Sequence, residues 1–358
     1  MAADPRTPDR VANCGWYARS GVVEIRDRAG SVYPAQLIVC GRPWAEPVCS
    51  AKIRTRKGAE LSNMITAHTV AAGGGVSMIT LTAGGHTSAD SLASSLGLLR
   101  LGWRKLSSSR RWVALRSSAA IIGCTLAYEF THGADGWHPH LHVLVWHREP
   151  LDAAQLVAAE LYVRQTWAAV IAGAGRYLNP RHGLDFAWNA NAAALGGYVA
   201  KVQEAADWGL PQEMTRGDAK RARREGSRVP FAILADHYAT GDLADWQLWR
   251  EYLAETQLGG VGSIPLLRST PGLRAIVLGP GASAALSDEQ LAAVEVGGQL
   301  VGLLPWPSWA AVRQRREVPA LLAAAEAGGL AAMNGWLARR GLGQADAPPV
   351  RPARQAVA

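Results

Sequence analysis

The most informative segment of this 358-residue chain reads Gly136-Trp137-His138-Pro139-His140-Leu141-His142-Val143-Leu144-Val145-Trp146. Alternate side chains of a β-strand lie on the same face of a sheet. A strand over 140–146 therefore puts His140 and His142 on one face and points Leu141 and Val143 into the core. Three alternating histidines are costly to bury unpaired in an apolar strand. Two adjacent neutral imidazoles instead indicate a pair of metal ligands.

A third metal ligand is predicted on the preceding strand. Ile121–Phe130 is rich in β-formers, and the turn-rich segment 131–136 that follows predicts a β-hairpin with the histidine strand. Glu129 then lies across the hairpin from the histidines. Two imidazoles and one carboxylate suit Mn²⁺ or Mg²⁺ with positions open for phosphate oxygens, although imidazoles also accept Zn²⁺.

The fold class predicted for the whole chain is α+β, with an antiparallel sheet and flanking helices. One more strand is predicted over Ser77–Thr82. Strands that mostly pair locally, with helices between them, are typical of this class. The predicted helices cover residues 91–106, 151–172 and 191–208.

Three consecutive regions differ in character. Residues 1–70 contain three of the four cysteines, residues 71–275 hold the predicted sheet, and residues 276–358 are rich in Ala, Gly and Leu. The last region is predicted to be helical with a flexible tail, and Ser287 with Gln290 forms the pattern of a capping box at a helix start.

Composition restricts the function classes. With 49% hydrophobic and 18% charged residues the chain is a folded globular protein, and its net charge of +8 favours a polyanionic partner such as DNA. Met1–Arg10 lacks the apolar core of a signal peptide, and no apolar stretch is long enough to span a bilayer. We therefore expect a cytoplasmic protein that has no membrane partner and whose cysteines are reduced.

Downstream of the histidines lies Gly196-Gly197-Tyr198-Val199-Ala200-Lys201. Positions three apart share a face of a helix, so Tyr198 and Lys201 project together. A tyrosine is a poor nucleophile at neutral pH because its pKa is about 10. A neighbouring cation, together with a metal that polarises the target phosphate, makes it competent.

Together these motifs resemble the rolling-circle plasmid replication initiators of the HUH endonuclease superfamily. Ile79-Thr80-Leu81-Thr82, followed by His86, resembles the first motif of that family, His140-Leu141-His142 the second, and Tyr198 with Lys201 the third. Segments 249–252 and 269–273 resemble the conserved region that follows. The resemblance covers residues 12 to 275.

The resemblance implies a palm-like antiparallel sheet with the histidines on a central strand. It also implies sequence-specific nicking of plasmid origin DNA, single-stranded or hairpin at the nick. Tyr198 would form a 5′-phosphotyrosine and free a 3′-hydroxyl for a host polymerase, with a host helicase as a further partner.

Two departures from the family pattern stand out. Family members often carry an N-terminal cysteine cluster resembling a zinc site; here Cys14, Cys40 and Cys49 remain, but Glu46 replaces a cysteine. Either zinc is retained, or the thiols pack as small apolar groups. In both cases we expect the three cysteines to lie close together.

The second departure concerns release of the DNA. Initiators of this kind often carry a glutamate one helical turn before the tyrosine, where it can activate water. Here those positions hold Ala194 and Leu195. We expect slow hydrolysis of the phosphotyrosine, unless Asp185 or Glu204 substitutes.

Three basic runs are predicted to contact DNA, because arginines neutralise phosphates and tryptophans stack on unpaired bases. No acidic residue occurs between Ser91 and Tyr128, a segment that also contains Trp103 and Trp112. The predicted contacts in this first run are Arg104, Lys105, Arg110 and Arg111. Those in the second run are Arg221, Arg223 and Arg224, and the third run comprises Lys52, Arg54, Arg56 and Lys57.

Two rival functions fit part of the pattern. The alternating histidines also resemble the histidine-triad nucleotide hydrolases, which need no metal, but that resemblance leaves Tyr198 and Lys201 unexplained. A DNA-binding repressor without catalysis would have no use for a metal triad. Dependence of the activity on metal separates the rivals.

Overall fold

The computed structural model describes residues 8–84, 87–188, 226–257, 264–295 and 297–347. The strands are β1 Val22–Arg28, β2 Ser31–Ala35, β3 Gly75–Thr82, β4 Ile121–Gly133, β5 Gly136–His147, β6 Leu184–Ala187, β7 Arg268–Ser269 and β8 Gln299–Pro305. The helices are α1 Pro8–Ala12, α2 Pro47–Thr66, α3 Leu92–Ser108, α4 Arg110–Ser118, α5 Ala153–Gly173, α6 Pro230–Thr240, α7 Leu243–Gln257, α8 Leu273–Leu278, α9 Asp288–Ala293, α10 Trp306–Gln314 and α11 Val318–Ala338. A π-helical turn, Ala67–Ala71, follows α2.

Contacts within the chain define two compact units. One contains Arg54–Ala285, and the other combines Met1–Ile53 with Leu286–Ala358. The N-terminal cysteine segment and much of the Ala-rich region, which are far apart in sequence, thus share a unit. Both units contain antiparallel sheets with flanking helices, which confirms the predicted fold class.

In the unit 54–285 the five strands are ordered β6-β3-β5-β4-β7, and every neighbouring pair is antiparallel. The predicted hairpin is confirmed, but its loop is shorter than expected. Both strands extend into it, so only Ala134 and Asp135 remain between them, and Gly136 supports the tight turn with a φ of 91°.

The two faces of this sheet pack against different helices. Ile79, Leu141 and Val143 form a core with apolar residues of α3, α4 and α5. On the opposite face, Leu144 and Trp146 pack with residues of α2 and α8. Because β5 alternates strictly, the histidines belong to the α2 side.

Side-chain caps set the beginnings of several helices. Ser91 accepts a hydrogen bond from the backbone N–H of Ser94 at the start of α3. Asp152 with Gln155 and Ser287 with Gln290 form complete capping boxes at α5 and α9. The predicted helices 91–106 and 151–172 and the helix start at Ser287 are confirmed.

The other unit pairs its strands in the order β2-β1-β8. Val23 and Ile25 of β1 and Leu304 of β8 pack against α10 and α11, where Trp309 and Leu337 are buried. Within the described residues, no helix has the length and apolar character needed to cross a bilayer.

Two glycines of α3 should respond oppositely to alanine. A Cβ at Gly102 would overlap the buried indole of Trp167, whereas nothing lies within 4 Å of one at Gly97. We expect Gly102→Ala to lower the free energy of unfolding by about 1–3 kcal/mol. Gly97→Ala should raise it by about 0.5–1 kcal/mol through helix propensity. Denaturant unfolding checks both, and equal effects would contradict this packing of Gly102 against Trp167.

Candidate active site

The histidine strand β5 lies between β3 and β4, and its register with both neighbours builds the site. His140 pairs with Thr82 on one side and with Glu129 on the other. His142 pairs with Thr80 and Ala127. Residues directly opposite one another share a face. His140, His142 and Glu129 therefore lie on one face of the sheet.

His142 contacts both neighbouring strands. Its Nε2 lies 2.9 Å from Oε2 of Glu129, and its Nδ1 lies 3.0 Å from Oγ1 of Thr80. Both members of the His142–Glu129 pair are buried, at 3% and 6% exposure. A buried carboxylate needs a charged or hydrogen-bonding partner, and this imidazole supplies one.

His140 is held in a similar way. Its Nδ1 lies 2.9 Å from Oγ1 of Thr82, and its Nε2 lies 3.0 Å from Nδ1 of His138. The rings of His140 and His142 stack with centroids 6.2 Å apart. Hydrogen bonds to Nδ1 orient an imidazole and favour one tautomer, as they do around protein metal ligands. Both threonines belong to the segment 79–82, and their orienting role was missed at the sequence level, as was the contact of His138.

One more carboxylate lies on this face. Asp185 of β6 pairs with Thr80, which in turn pairs with His142. Asp185 is exposed at the end of this row. His86, the predicted helix 191–208 with Tyr198 and Lys201, and the basic residues Arg221, Arg223 and Arg224 lie outside the described residues.

The basic residues of α3 and α4 lie on the other side of the sheet from the histidines. Arg104, Lys105, Arg110 and Arg111 are all exposed. Their helices pack on the face of Leu141 and Val143. In the third run, Arg54 is buried at 4% exposure and does not face solvent.

The predicted proximity of Cys14, Cys40 and Cys49 is confirmed, and Glu46 joins them. Sγ of Cys49 lies 3.6 Å from Sγ of Cys14 and 3.7 Å from Sγ of Cys40. Oε2 of Glu46 lies 3.7 Å from Sγ of Cys14. One ligand atom from each of the four lies within 4.8 Å of the others. Tetrahedral ligands about 2.3 Å from zinc are separated by roughly 3.8 Å, so this group is sized for such an ion.

Contacts among the thiols raise their pKa values. The hydrogen bond with Cys40 raises the pKa of Cys14 to about 12, and the hydrogen bond with Cys14 raises the pKa of Cys49 to about 12. For Cys40 the hydrogen bond with Cys14 lowers the pKa, but the hydrogen bond with Cys49 and burial outweigh it and raise the pKa to about 12. Cys124 is buried elsewhere, in β4.

Glu46 also caps α2. Its carboxylate accepts hydrogen bonds from the backbone N–H groups of Val48 at 3.2 Å and Cys49 at 2.6 Å. From the C-terminal segment, Arg313 donates to the carbonyl of Cys14 and Trp309 to that of Gly15, each at 3.0 Å. The cysteine loop is thereby attached to α10.

The sequence was compared with known proteins. It is 32% identical over 314 residues to "Protein rep" of Streptomyces lividans, an alignment that covers 72% of this chain and 65% of that protein. This chain is similar to Protein rep. It is also 30% identical over 151 residues to "Neomycin resistance protein" of Streptomyces cyanogenus, covering 35% of this chain and 34% of that protein. No protein-family model and no solved structure matches. The chain thus spans just under two thirds of the first relative and about one third of the second.

The capping role of Glu46 can be separated from any metal by working in chelator. Glu46→Ala removes both acceptors, and we expect it to lower the free energy of unfolding by about 0.5–2 kcal/mol. Glu46→Gln keeps one amide oxygen as an acceptor and should lose less. Denaturant unfolding in EDTA measures both variants. An alanine variant as stable as the parent would show that the cap contributes nothing.

Proposed function

We propose that this chain initiates rolling-circle replication of a plasmid by nicking one strand of the origin. One observation carries the proposal: His140, His142 and Glu129 lie on one face of a central hairpin, with the imidazoles oriented by Thr80 and Thr82. The similarity to Protein rep, which is the more extensive of the two alignments, supports it.

Two imidazoles and one carboxylate are donor types that suit one hard divalent ion. Nε2 of His142 and Oε2 of Glu129 already lie 2.9 Å apart, and each histidine has its Nδ1 engaged by a threonine. His140, His142 and Glu129 would hold Mn²⁺ or Mg²⁺, which would supply charge neutralisation at the scissile phosphate.

Nicking would then be a transesterification. The phenol oxygen of Tyr198 bonds to phosphorus, the bond from phosphorus to the 3′-oxygen breaks, and the 3′-oxygen leaves with a proton as a hydroxyl. Lys201 would stabilise the phenolate that attacks. Positioning and charge neutralisation dominate phosphoryl transfer. The products are a 5′-phosphotyrosine and a primer end for a host polymerase, with a host helicase unwinding the template in the cytoplasm.

We also propose that Cys14, Cys40, Cys49 and Glu46 hold a structural zinc ion. The near-tetrahedral separations support this, and a carboxylate is an accepted though less common zinc ligand. Such an ion would join the start of α2 to the loop that Arg313 and Trp309 hold.

The first prediction from this proposed function concerns the nucleophile. Incubated with single-stranded origin DNA and Mn²⁺, the protein should form a covalent DNA adduct that survives denaturing electrophoresis. Tyr198→Phe removes only the reactive oxygen, so the adduct should disappear while DNA binding persists. Tyr177→Phe, at an exposed tyrosine, is the matched control. An adduct in Tyr198→Phe would refute the assignment.

A time course of the same incubation tests how the protein is released from the DNA. Without a glutamate at position 194 or 195, the adduct should persist once formed. Rapid decay to free protein and 5′-phosphate DNA would contradict this. If the adduct does decay, a stable adduct in Asp185→Ala would identify the carboxylate of Asp185 as the base.

The second prediction concerns the metal. EDTA should abolish nicking, and Mn²⁺ should restore it. Glu129→Gln should lower nicking by more than the roughly 10–100-fold that is typical of residues outside the ligand shell. The control Glu149→Ala, at an exposed glutamate beside the same strand, should leave nicking unchanged. Undiminished activity in EDTA would favour the histidine-triad alternative, and DNA binding without any adduct would favour the repressor.

The third prediction concerns zinc. Elemental analysis of the purified protein should find one zinc per chain. Cys49→Ser should abolish it, and Cys124→Ser, at a cysteine outside the cluster, should retain it. Protein purified without zinc, and unable to take it up when zinc is supplied, would refute the site.

A further inference from the structure

A basic cavity lies on the side of the main sheet opposite the histidines. It has a volume of about 620 Å³ and is bounded by α3, α4, β4 and residues 264–271. Cys124, Leu126 and Tyr128 of β4 form part of its wall. They alternate with Thr125, Ala127 and Glu129, which belong to the other face. The sheet therefore separates this cavity from the candidate metal ligands.

Four arginines line the cavity, and no carboxylate does: Arg100, Arg104, Arg116 and Arg268. Among the residues that the structure describes, none of the four forms an ion pair with an acidic side chain. Arg100 lies close to the phenol of Tyr128, which is a neutral partner. Four guanidinium groups around one cavity attract an anion, and guanidinium geometry matches phosphate.

Aromatic rings also line the cavity, beside the four arginines. Trp103, Trp112 and Tyr128 line the same cavity. Trp103 is half-buried and packs edge to face against Trp112, with ring centroids 5.7 Å apart. Aromatic side chains beside arginines are typical of sites that bind unpaired nucleotides, because bases stack on the rings while phosphates contact the cations.

We propose that this cavity binds one nucleotide of a single DNA strand, with its base against Trp103 and its phosphates on Arg104 and Arg268. The volume lies within the range of small-ligand sites. A base paired within a duplex could not enter, so the ligand is unpaired. The choice of a DNA strand rests on the proposed function, but the chemistry of the cavity requires only a base and a phosphate.

Binding here needs neither the metal nor Tyr198, and the experiment uses that independence. The full chain carrying Tyr198→Phe is titrated in EDTA against a fluorescein-labelled oligo(dT) of about 12 nucleotides, and anisotropy reports the Kd. Arg104→Ala with Arg268→Ala is compared with Arg148→Ala plus Arg181→Ala, which removes the same charge from exposed sites of the same unit.

The cavity pair is the double variant Arg104→Ala with Arg268→Ala, and the control pair is Arg148→Ala with Arg181→Ala. We expect the Kd of the cavity pair to exceed that of the control pair by about tenfold or more. Trp103→Ala should raise the Kd about fivefold or more, Trp103→Phe should restore much of the affinity, and Trp246→Ala, at an exposed tryptophan, should change little. Thermal unfolding of each variant identifies any loss of fold, and Trp103→Phe keeps the test valid if Trp103→Ala unfolds.

Two results would overturn the proposal. Equal Kd values for the cavity pair and the control pair would show that only overall charge matters. Displacement of the oligonucleotide by free dTMP at a similar nucleotide concentration would show that the cavity takes a free mononucleotide. Nicking is measured separately on the parent chain, so its absence would count against the proposed function without affecting the result for the cavity.

Discussion

Antiparallel pairing of β5 with both neighbours is the constraint on which the candidate site depends. The register places His140 between Thr82 and Glu129, and His142 beside Thr80. A slip of one residue would turn every side chain of the strand to the opposite face. Leu141 and Val143 would then leave the core of α3, α4 and α5, so the hydrophobic core that stabilises the sheet also sets the positions of the histidines.

Much of this arrangement follows from local sequence. The period of two in 140–146 predicts which side chains share a face, and the turn residues of 131–136 predict that Glu129 faces the histidines. Both predictions depend only on residues that are close in sequence, so one amino-acid sequence is enough to make them. The contact between Thr82 and His140 is different because it joins residues 58 positions apart on two strands, and no local pattern contains that register.

The C-terminal part shows where local patterns fail. Residues 299–305 form β8 within a region whose composition predicts helices. Seven residues are too few for periodicity to distinguish a strand from a buried helical turn, and only pairing with β1 decides the outcome. Glu46 is a related case: its cap of α2 follows from its place before Pro47, but its distance from Cys14 depends on a loop that is closed by residues near the other end of the chain.

The construction of one unit from Met1–Ile53 and Leu286–Ala358 affects how the protein is made. The cysteine loop acquires its contacts with Trp309 and Arg313 only after the ribosome has added roughly 250 more residues, about 12–50 s at ~5–20 residues per second. During that interval the described strands of the unit 54–285 can already pair, because none of them comes from the C-terminal segment. The segment with Cys14, Cys40 and Cys49 meanwhile has only its own contacts, because the bonds from Trp309 and Arg313 to its backbone cannot yet form. The nascent chain therefore passes through a stage in which the cysteine loop is not yet attached to α10.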